Sequence, residues 1–336
     1  MMSNLVSHIR ATVAQALAGD RAVVLAVSGG ADSICMADAA LAMHKGKPAF
    51  IIAHLNHHLR AGESDDDAQF VQGFAAQRGV PCEIGHADVR ALAKSHKVSI
   101  EVAARDARYA FLADVAMRHG ATSVALAHHA GDQAETVLLR LLRGAGLAGL
   151  RGMSARSPLP GAPHLTAVRP VLRTTREEIE QYCRERKLDW RHDASNDDVL
   201  HHTRNRIRHE LLPLLAQYNP NIRATLARLA DTLASDFEIV ETTTRETFDH
   251  IATEGRGAVK VDRTAWRGLS AGLQRATLRE AVRRLKGDTT QLSYAAIEEA
   301  RDVLNGNAGV GEIALMTDVR INVAWREFVV QLLIAD

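Results

Sequence analysis

Residues 28–33 read Ser28-Gly29-Gly30-Ala31-Asp32-Ser33, directly after the apolar run Ala22–Val27 and directly before a helical pattern. Two glycines let a backbone turn sharply and approach a ligand closely. N–H groups at the start of a helix attract anions. The hydroxyls of Ser28 and Ser33 can donate to phosphate oxygens. Asp32 would repel a bare phosphate, so its presence points to a bridging Mg2+. The string is neither GxxxxGK[ST] nor GxGxxG. A plain Gly-Gly turn with Asp and Ser capping the next helix would use the same letters, but the flanking strand and helix are what a phosphate loop requires.

A second group follows another apolar run, Ser123–His128. Asp132 and Glu135 stand at i, i+3 near a helix start, so both face one site. Carboxylates there can bind Mg2+ or orient an amine; acidic side chains also favour a first turn for its own sake. Arg105 and Arg108 share a helix face with Glu101 at i, i+4 and i+7. One of them can stabilise charge developing on a phosphorus, and the spacing does not choose between them or exclude a surface Glu–Arg pair. Arg204, Arg206 and Arg208 alternate around Asn205. They fit RNA phosphates, nucleotide phosphates or a solvated basic helix. His54, His57 and His58 cluster, as do His128 with His129 and His201 with His202. Neighbours on a strand point to opposite faces, so an HH pair does not converge on one ion. His128 and His129 are instead expected to line a nucleotide pocket at the C-terminal end of their strand.

Positioning these residues needs alternating elements. Strands are expected at Ala22–Val27, Ala49–Leu55, Pro81–Gly85, Ser123–His128 and Thr166–Leu172. Helices are expected at Glu63–Arg78, Ser99–His119, Asp132–Arg143, Arg176–Lys187 and Ile222–Ile251. The alternation predicts an α/β fold, a doubly wound and mostly parallel sheet with helices on both faces. Residues 144–165, rich in Gly, Pro and Ser, read as a long loop. Pro213 and Pro220 suggest a boundary, with a domain over 1–215 and a smaller, mainly helical one with a few strands over 222–336.

The chain has 336 residues, 46% hydrophobic, enough for about two domains with sizeable cores. No apolar run approaches the roughly 20 residues of a membrane span. The N-terminus lacks a basic-then-apolar leader, so a cytoplasmic protein is expected. Cys35, Cys82 and Cys183 form no CxxC, which argues against a disulfide framework or a cysteine-bound metal. Formal net charge is only +1, but 34 of the 41 basic residues are Arg. Residues 140–210 carry fourteen basic and nine acidic side chains, a surplus of five. Such a surplus fits a polyanion such as RNA; a coding bias towards Arg would produce it too.

Taken together the motifs become specific. SGGADS after a strand resembles the pyrophosphatase loop of the SGGxDS (N-type) ATP pyrophosphatases. His128–Gly144 (HHAGDQAETVLLRLLRG) is similar to the HHxDDQAETVLLRLLRG block of the tRNA(Ile)-lysidine synthase family. So are Asp193-Ala194-Ser195-Asn196, Thr203–Arg208, Leu211–Pro213 with Asn219–Pro220, the stretch from His57 and the stretch from Glu101. The resemblance is continuous over about residues 20–220 and loose beyond. It implies that ATP adenylates the wobble cytidine of tRNA(Ile) bearing CAU and that free L-lysine then displaces AMP. It implies ATP binding at Ser28, Gly29, Gly30, Ala31, Asp32, Ser33, His54 and His128. It also implies catalysis by Asp32, Asp132, Glu135 and Arg105 or Arg108, with Mg2+ on Asp32 and Asp132. Arg140, Arg143, Arg204, Asn205, Arg206 and Arg208 would bind tRNA or phosphate, and a homodimer is the family expectation. Gly131 departs from the pattern, where the family commonly has Asp. A 2-thiolation enzyme and a silent nucleotide- or RNA-binding module are the alternatives.

Overall fold

Ala22–Ala26 forms β1, and its three central residues are fully buried: Val23 and Leu25 in one apolar cluster, Val24 in another. Successive side chains of a strand point to opposite faces, so a run that is apolar throughout needs cover on both. The computed structural model supplies that cover. It describes residues 4–42, 49–58, 63–191, 203–289, 291–306 and 310–333. Asp193–Asn196 and the His201–His202 pair lie outside the described residues.

The first sheet adds β2 (Ala49–Asn56), β3 (Cys82–His86), β4 (Ser123–Ala125), β5 (Arg156–Leu159) and β6 (Ala162–Val168), in the order β3-β2-β1-β4-β6-β5. All neighbours are parallel except the β5–β6 pair. One face is covered by α1 (Asn4–Ala16), α2 (Ala31–Leu41), α3 (Glu63–Ala76) and, further along, Arg176–Glu185. The other carries α5 (Ile100–Arg118), preceded by the short α4 (Val89–His96). The doubly wound fold expected from the sequence is therefore present. The order reverses between β1 and β4, and ligands of such sheets bind beyond the strand C-termini at that point.

Two expectations change. Residues 144–165 are not one long loop: they hold α7 (Leu147–Leu150), β5 and the start of β6. After α6 (Ala130–Leu142) the chain is pinned by Arg140, whose Nη1 donates to the carbonyls of Gly149 at 2.8 Å and Gly152 at 2.6 Å. Gln133 exchanges two hydrogen bonds with the Met153 backbone. The two compact units also divide later than the prolines suggest, as 1–234 and 235–336. The reason is apolar: Ile207, Leu212, Leu226 and Ala230 pack with Ala134, Val137 and Leu138 of α6. After α8 (Arg176–Glu185) and α9 (Thr203–Arg206), Ile207 opens a π turn (Ile207–Leu211), Leu212 starts α10 (Leu212–Tyr218), and Leu226 and Ala230 lie on α11 (Ile222–Ile251).

The second unit has its own core around the fully buried Trp266 and Phe328. It contains α12 (Arg263–Arg267), α13 (Ala271–Lys286), α14 (Tyr294–Asn305) and five antiparallel strands in the order β7-β8-β11-β10-β9. These are β7 (Ala252–Gly255), β8 (Ala258–Asp262), β9 (Gly311–Met316), β10 (Val319–Val323) and β11 (Glu327–Leu332). No described helix is long and apolar enough to cross a membrane.

In the first unit, buried Asp38 of α2 ties four helices together. It accepts from Tyr182 Oη at 2.8 Å, Arg186 Nε at 3.1 Å and Arg78 Nη2 at 3.2 Å, with Arg10 Nη2 at 3.6 Å. Burial pushes this carboxyl up, but the three hydrogen bonds outweigh it and hold it below its ordinary value.

Candidate active site

A cavity of about 610 Å3 opens at the β1/β4 switch point, within the size range of small-molecule sites. Its walls come from the ends of β1, β2 and β4 and from the first turns of α2 and α6. Ser28, Gly30, Asp32, Ser33, His54, His128, Asp132, Arg108 and Arg208 all line it.

The loop 28–33 is held by its own hydroxyls. Ser33 Oγ accepts from the backbone N–H of Ser28 at 3.1 Å and of Gly29 at 3.2 Å, and donates to the Gly30 carbonyl at 2.9 Å. Gly29 has φ +96°, a left-handed conformation that favours glycine. Gly30 is the N-cap of α2, so the positive end of that helix faces the cavity. Asp32 accepts from Arg176 Nη1 at 2.5 Å through Oδ2. Its Oδ1 is buried and has no hydrogen-bond partner among the described residues.

Across the cavity, α6 begins with a reciprocal cap. His129 Nδ1 accepts from the Gly131 N–H at 3.0 Å, and Asp132 Oδ2 accepts from the His129 N–H at 3.1 Å. His129 Nε2 lies 3.7 Å from Asp132 Oδ2 and 4.0 Å from Asp32 Oδ1, so this imidazole stands between the two carboxylates. Burial pushes Asp132 up, but His129, His128, the His129 N–H and Arg204 outweigh it and keep the carboxyl below its ordinary range. Gly131 fits this arrangement sterically: a Cβ there would meet His129 Cε1 at 2.6 Å.

The other imidazoles are held neutral. Burial, opposed by Asp132, pushes His128 down to about 3. Burial, helped by Arg108 and His54, pushes His57 down to about 4. Burial also lowers His54 against the hydrogen bond between its Nδ1 and the Val27 carbonyl at 2.8 Å. Below their ordinary value of 6.5 the unfolded chain takes up protons that the fold refuses. Stability is therefore complete above pH 6.5 and falls as the pH drops towards 4. Asp38, lowered in the fold, adds its own loss at still lower pH. Urea denaturation should show the midpoint falling between pH 6.5 and 4.5; a flat profile there would contradict neutral, buried imidazoles.

Several expected residues sit elsewhere. Glu135 does not line the cavity. Its side chain is 3% exposed and receives Arg208 Nε at 2.6 Å and Arg204 Nε at 3.1 Å. Its two oxygens are taken up by these arginines. Arg140 is half-buried and gives its Nη1 to carbonyls of the pinned segment. Arg143, the C-cap of α6, and Arg206 are exposed; Arg206 pairs with Glu210 at 3.2 Å. Asn205 is half-buried beside them.

The choice between Arg105 and Arg108 is now structural. Both guanidiniums lie near the Tyr109 ring, at 5.1 and 5.5 Å, but only Arg108 lines the cavity. No ion pair engages Arg108 among the described residues. Arg108→Ala should weaken binding of a nucleoside triphosphate in this cavity about tenfold, the loss of one charged hydrogen bond, and Arg105→Ala should leave it nearly unchanged. Calorimetric titration of the two variants checks the order.

With this geometry in hand, comparison with known proteins is decisive about the family. A PP-loop domain family model matches residues 1–215. The chain belongs to the PP-loop family. Among curated proteins this PP-loop chain is similar to the tRNA(Ile)-lysidine synthase of Geobacter sulfurreducens. The two are 41% identical over 92% of this chain and 64% of the relative. It is similar also to the enzyme of that name from Dehalococcoides mccartyi, 36% identical over 87% of this chain and 62% of the relative. The chain thus spans somewhat under two thirds of the length of these relatives. Among solved structures, the U34-tRNA thiolase NcsA from Methanococcus maripaludis shares the fold. Its TM-score is 0.55 and its identity 18%, over 68% of this chain and 78% of that one.

The PP-loop cavity contains three charged residues that the sequence did not single out, Asp67, Arg176 and Arg191, and His57, which it offered only as part of a histidine cluster. Arg191 donates from Nε to Asp67 Oδ1 at 2.9 Å and from its backbone N–H to the Gly29 carbonyl at 2.9 Å, bracing the phosphate loop. For Arg176 a signal existed. It is the first residue of α8, where a cation opposes the helix dipole.

Proposed function

We propose that this PP-loop chain is an ATP-dependent ligase that joins L-lysine to C2 of the wobble cytidine of tRNA(Ile) with a CAU anticodon. One observation carries the reading: the SGGADS loop, Asp32, Asp132 and Arg108 converge on a single cavity at the switch point of the sheet. The names of the two similar curated proteins support it.

In the first step the cytidine O2 attacks the α-phosphorus of ATP. An O–P bond forms, the bond to the bridging oxygen of the β-phosphate breaks, and pyrophosphate leaves. Loop N–H groups and the N-terminus of α2 bind the phosphates, and the Ser28 and Ser33 hydroxyls donate to them. Arg108 stabilises charge on the pentacoordinate phosphorus. Asp32 and Asp132 would hold Mg2+, and the unpartnered Asp32 Oδ1 suits a hard cation. The described residues contain no group of three potential metal ligands. Phosphate oxygens and water would supply the rest of the shell, as is usual for this ion. When bound, it neutralises phosphate charge.

In the second step the lysine ε-amine attacks C2, the C2–O bond to AMP breaks with its electron pair leaving on the AMP phosphate oxygen, and the nitrogen releases a proton to solvent. Asp132, kept ionised, attracts and orients the lysine head group. Glu135 fixes Arg204 and Arg208 beside it. Lysidine pairs with A rather than G, so codon reading changes from AUG to AUA. Residues 222–336 would bind tRNA together with exposed Arg143 and Arg206. The reading implies a cytoplasmic enzyme, and the resemblance a homodimer.

Thiolation finds no support in the site. Cys35 and Cys183 are buried in the core, Cys82 is half-buried on β3, and none lines the cavity. Burial pushes the Cys82 thiol up to about 11, away from a reactive thiolate.

The test uses purified protein, ATP, Mg2+, radiolabelled lysine and CAU-anticodon tRNA(Ile) transcript. Label is expected in the RNA with equimolar AMP, and none with a wobble-U transcript. AMP without label would overturn lysine as the nucleophile; neither product would overturn the ligase.

A further inference from the structure

Three of the four arginines around the cavity are held by carboxylates: Arg191 by Asp67, Arg208 by Glu135 and Asp132, and Arg176 by Asp32. The last pair differs in kind. Arg208 and Glu135 are locked by several hydrogen bonds in a largely buried setting. The Arg176 side chain is 42% exposed, enters from the first residue of α8, and donates one hydrogen bond to Asp32 Oδ2. Its Nε donates to Glu180 Oε1 at 2.9 Å, which holds the base of the guanidinium while Nη1 reaches Asp32.

Position and charge make this pair exclusive with the chemistry proposed above. Asp32 cannot give Oδ2 to Arg176 and also be fully available to a cation. Arg176 lines the same cavity as Ser28, Gly30 and Ser33, where the phosphate oxygens of a nucleotide would come. Phosphate is the better partner, since it accepts in the same planar, forked geometry with greater charge.

Resting on the ATP reading of the cavity, we propose that Arg176 is a positioning residue for pyrophosphate. Its guanidinium exchanges Asp32 for the β- and γ-phosphates as the nucleotide enters, which releases Asp32 to the cation. On departure of pyrophosphate the pair re-forms. Arg176 thereby keeps Asp32 neutralised between turnovers and acts on the leaving group, whereas Arg108 acts on the phosphorus under attack.

The test is calorimetric binding of inorganic pyrophosphate with Mg2+, of AMP, and of ATP with Mg2+, to wild type, Arg176→Ala and Arg176→Lys. Arg176→Ala should bind pyrophosphate about tenfold more weakly, the loss expected of one charged hydrogen bond. Its AMP affinity should be unchanged. The Mg2+ concentration that half-saturates ATP binding should fall, because Asp32 is no longer neutralised. Arg176→Lys should recover part of the pyrophosphate affinity. An Arg with only a structural role at the start of α8 would weaken AMP and pyrophosphate alike, which would overturn the proposal. So would wild-type pyrophosphate affinity in Arg176→Ala when wild type binds ATP normally. A wild-type protein that binds neither ATP nor pyrophosphate would overturn the ATP reading itself.

Discussion

Asp32→Ala should lower ATP-dependent AMP formation by about 10²–10³-fold, the scale of losing one preorganised charge at a reacting phosphate. The Asp32 carboxylate has one oxygen on Arg176 and another that is buried without a hydrogen-bond partner among the described residues. Such an oxygen costs free energy in the fold and is retained where a ligand completes it. Removing it takes away the proposed cation ligand and leaves Arg176 to bind phosphates prematurely. ATP should therefore still bind while adenylation stalls. The side chain is a quarter exposed, so the thermal transition should move by only a few degrees. Rapid-quench measurement of AMP and pyrophosphate, beside a melting curve, separates the two effects. Turnover within tenfold of wild type would remove Asp32 from the chemistry.

Glu135→Ala should be costly in a different way. The carboxylate is almost wholly buried and takes both Arg204 and Arg208, whose side chains are 29% and 31% exposed. Breaking such a pair leaves cations uncompensated, worth about 3 kcal/mol at the lower end of the usual range because water reaches both guanidiniums. The nearest remaining carboxylate is Asp132, 3.4 Å from Arg208 and 4.0 Å from Arg204. Both arginines should turn to it and draw it off the His129 N–H, undoing the cap of α6. Stability and lysine transfer should then fall together, although Glu135 itself never faces the cavity. Urea denaturation gives the first quantity and single-turnover lysine transfer the second. Glu135→Gln should lose nearly as much, since an amide matches the shape without the charge.

What could be read from the sequence was local. The strand–loop–helix around Ser28–Ser33 is specified by an apolar run, two glycines and a helical pattern within a few residues of one another. The i, i+3 spacing of Asp132 and Glu135 led to the expectation that both face one site, and Arg208 reaches both, but only Asp132 lines the cavity. The spacing could not say that residues 203–208 would lie against α6 and claim Glu135. Asp32 with Arg176 and Asp67 with Arg191 are 144 and 124 positions apart in the chain, beyond the reach of any periodicity. β5 escaped notice because it contains Pro158, which reads as a loop signal. It is an edge strand, the place in a sheet where proline is tolerated. The sheet of the second unit was underestimated for a similar reason. Ala252–Gly255 and Ala258–Asp262 form a hairpin too short to show a period of its own.

The imidazole of His129 occupies the volume that a side chain at position 131 would need, with His129 Cε1 2.6 Å from a Cβ placed there. A side chain at 131 would require the His129 ring to turn away, so that Nδ1 would leave the Gly131 N–H and Nε2 its place between Asp32 and Asp132. The family pattern HHxDDQAET keeps the histidine and a carboxylate together, which needs the ring in another rotamer. Glycine at 131 is thus what leaves the imidazole free to cap α6 and stand between the two aspartates in this chain.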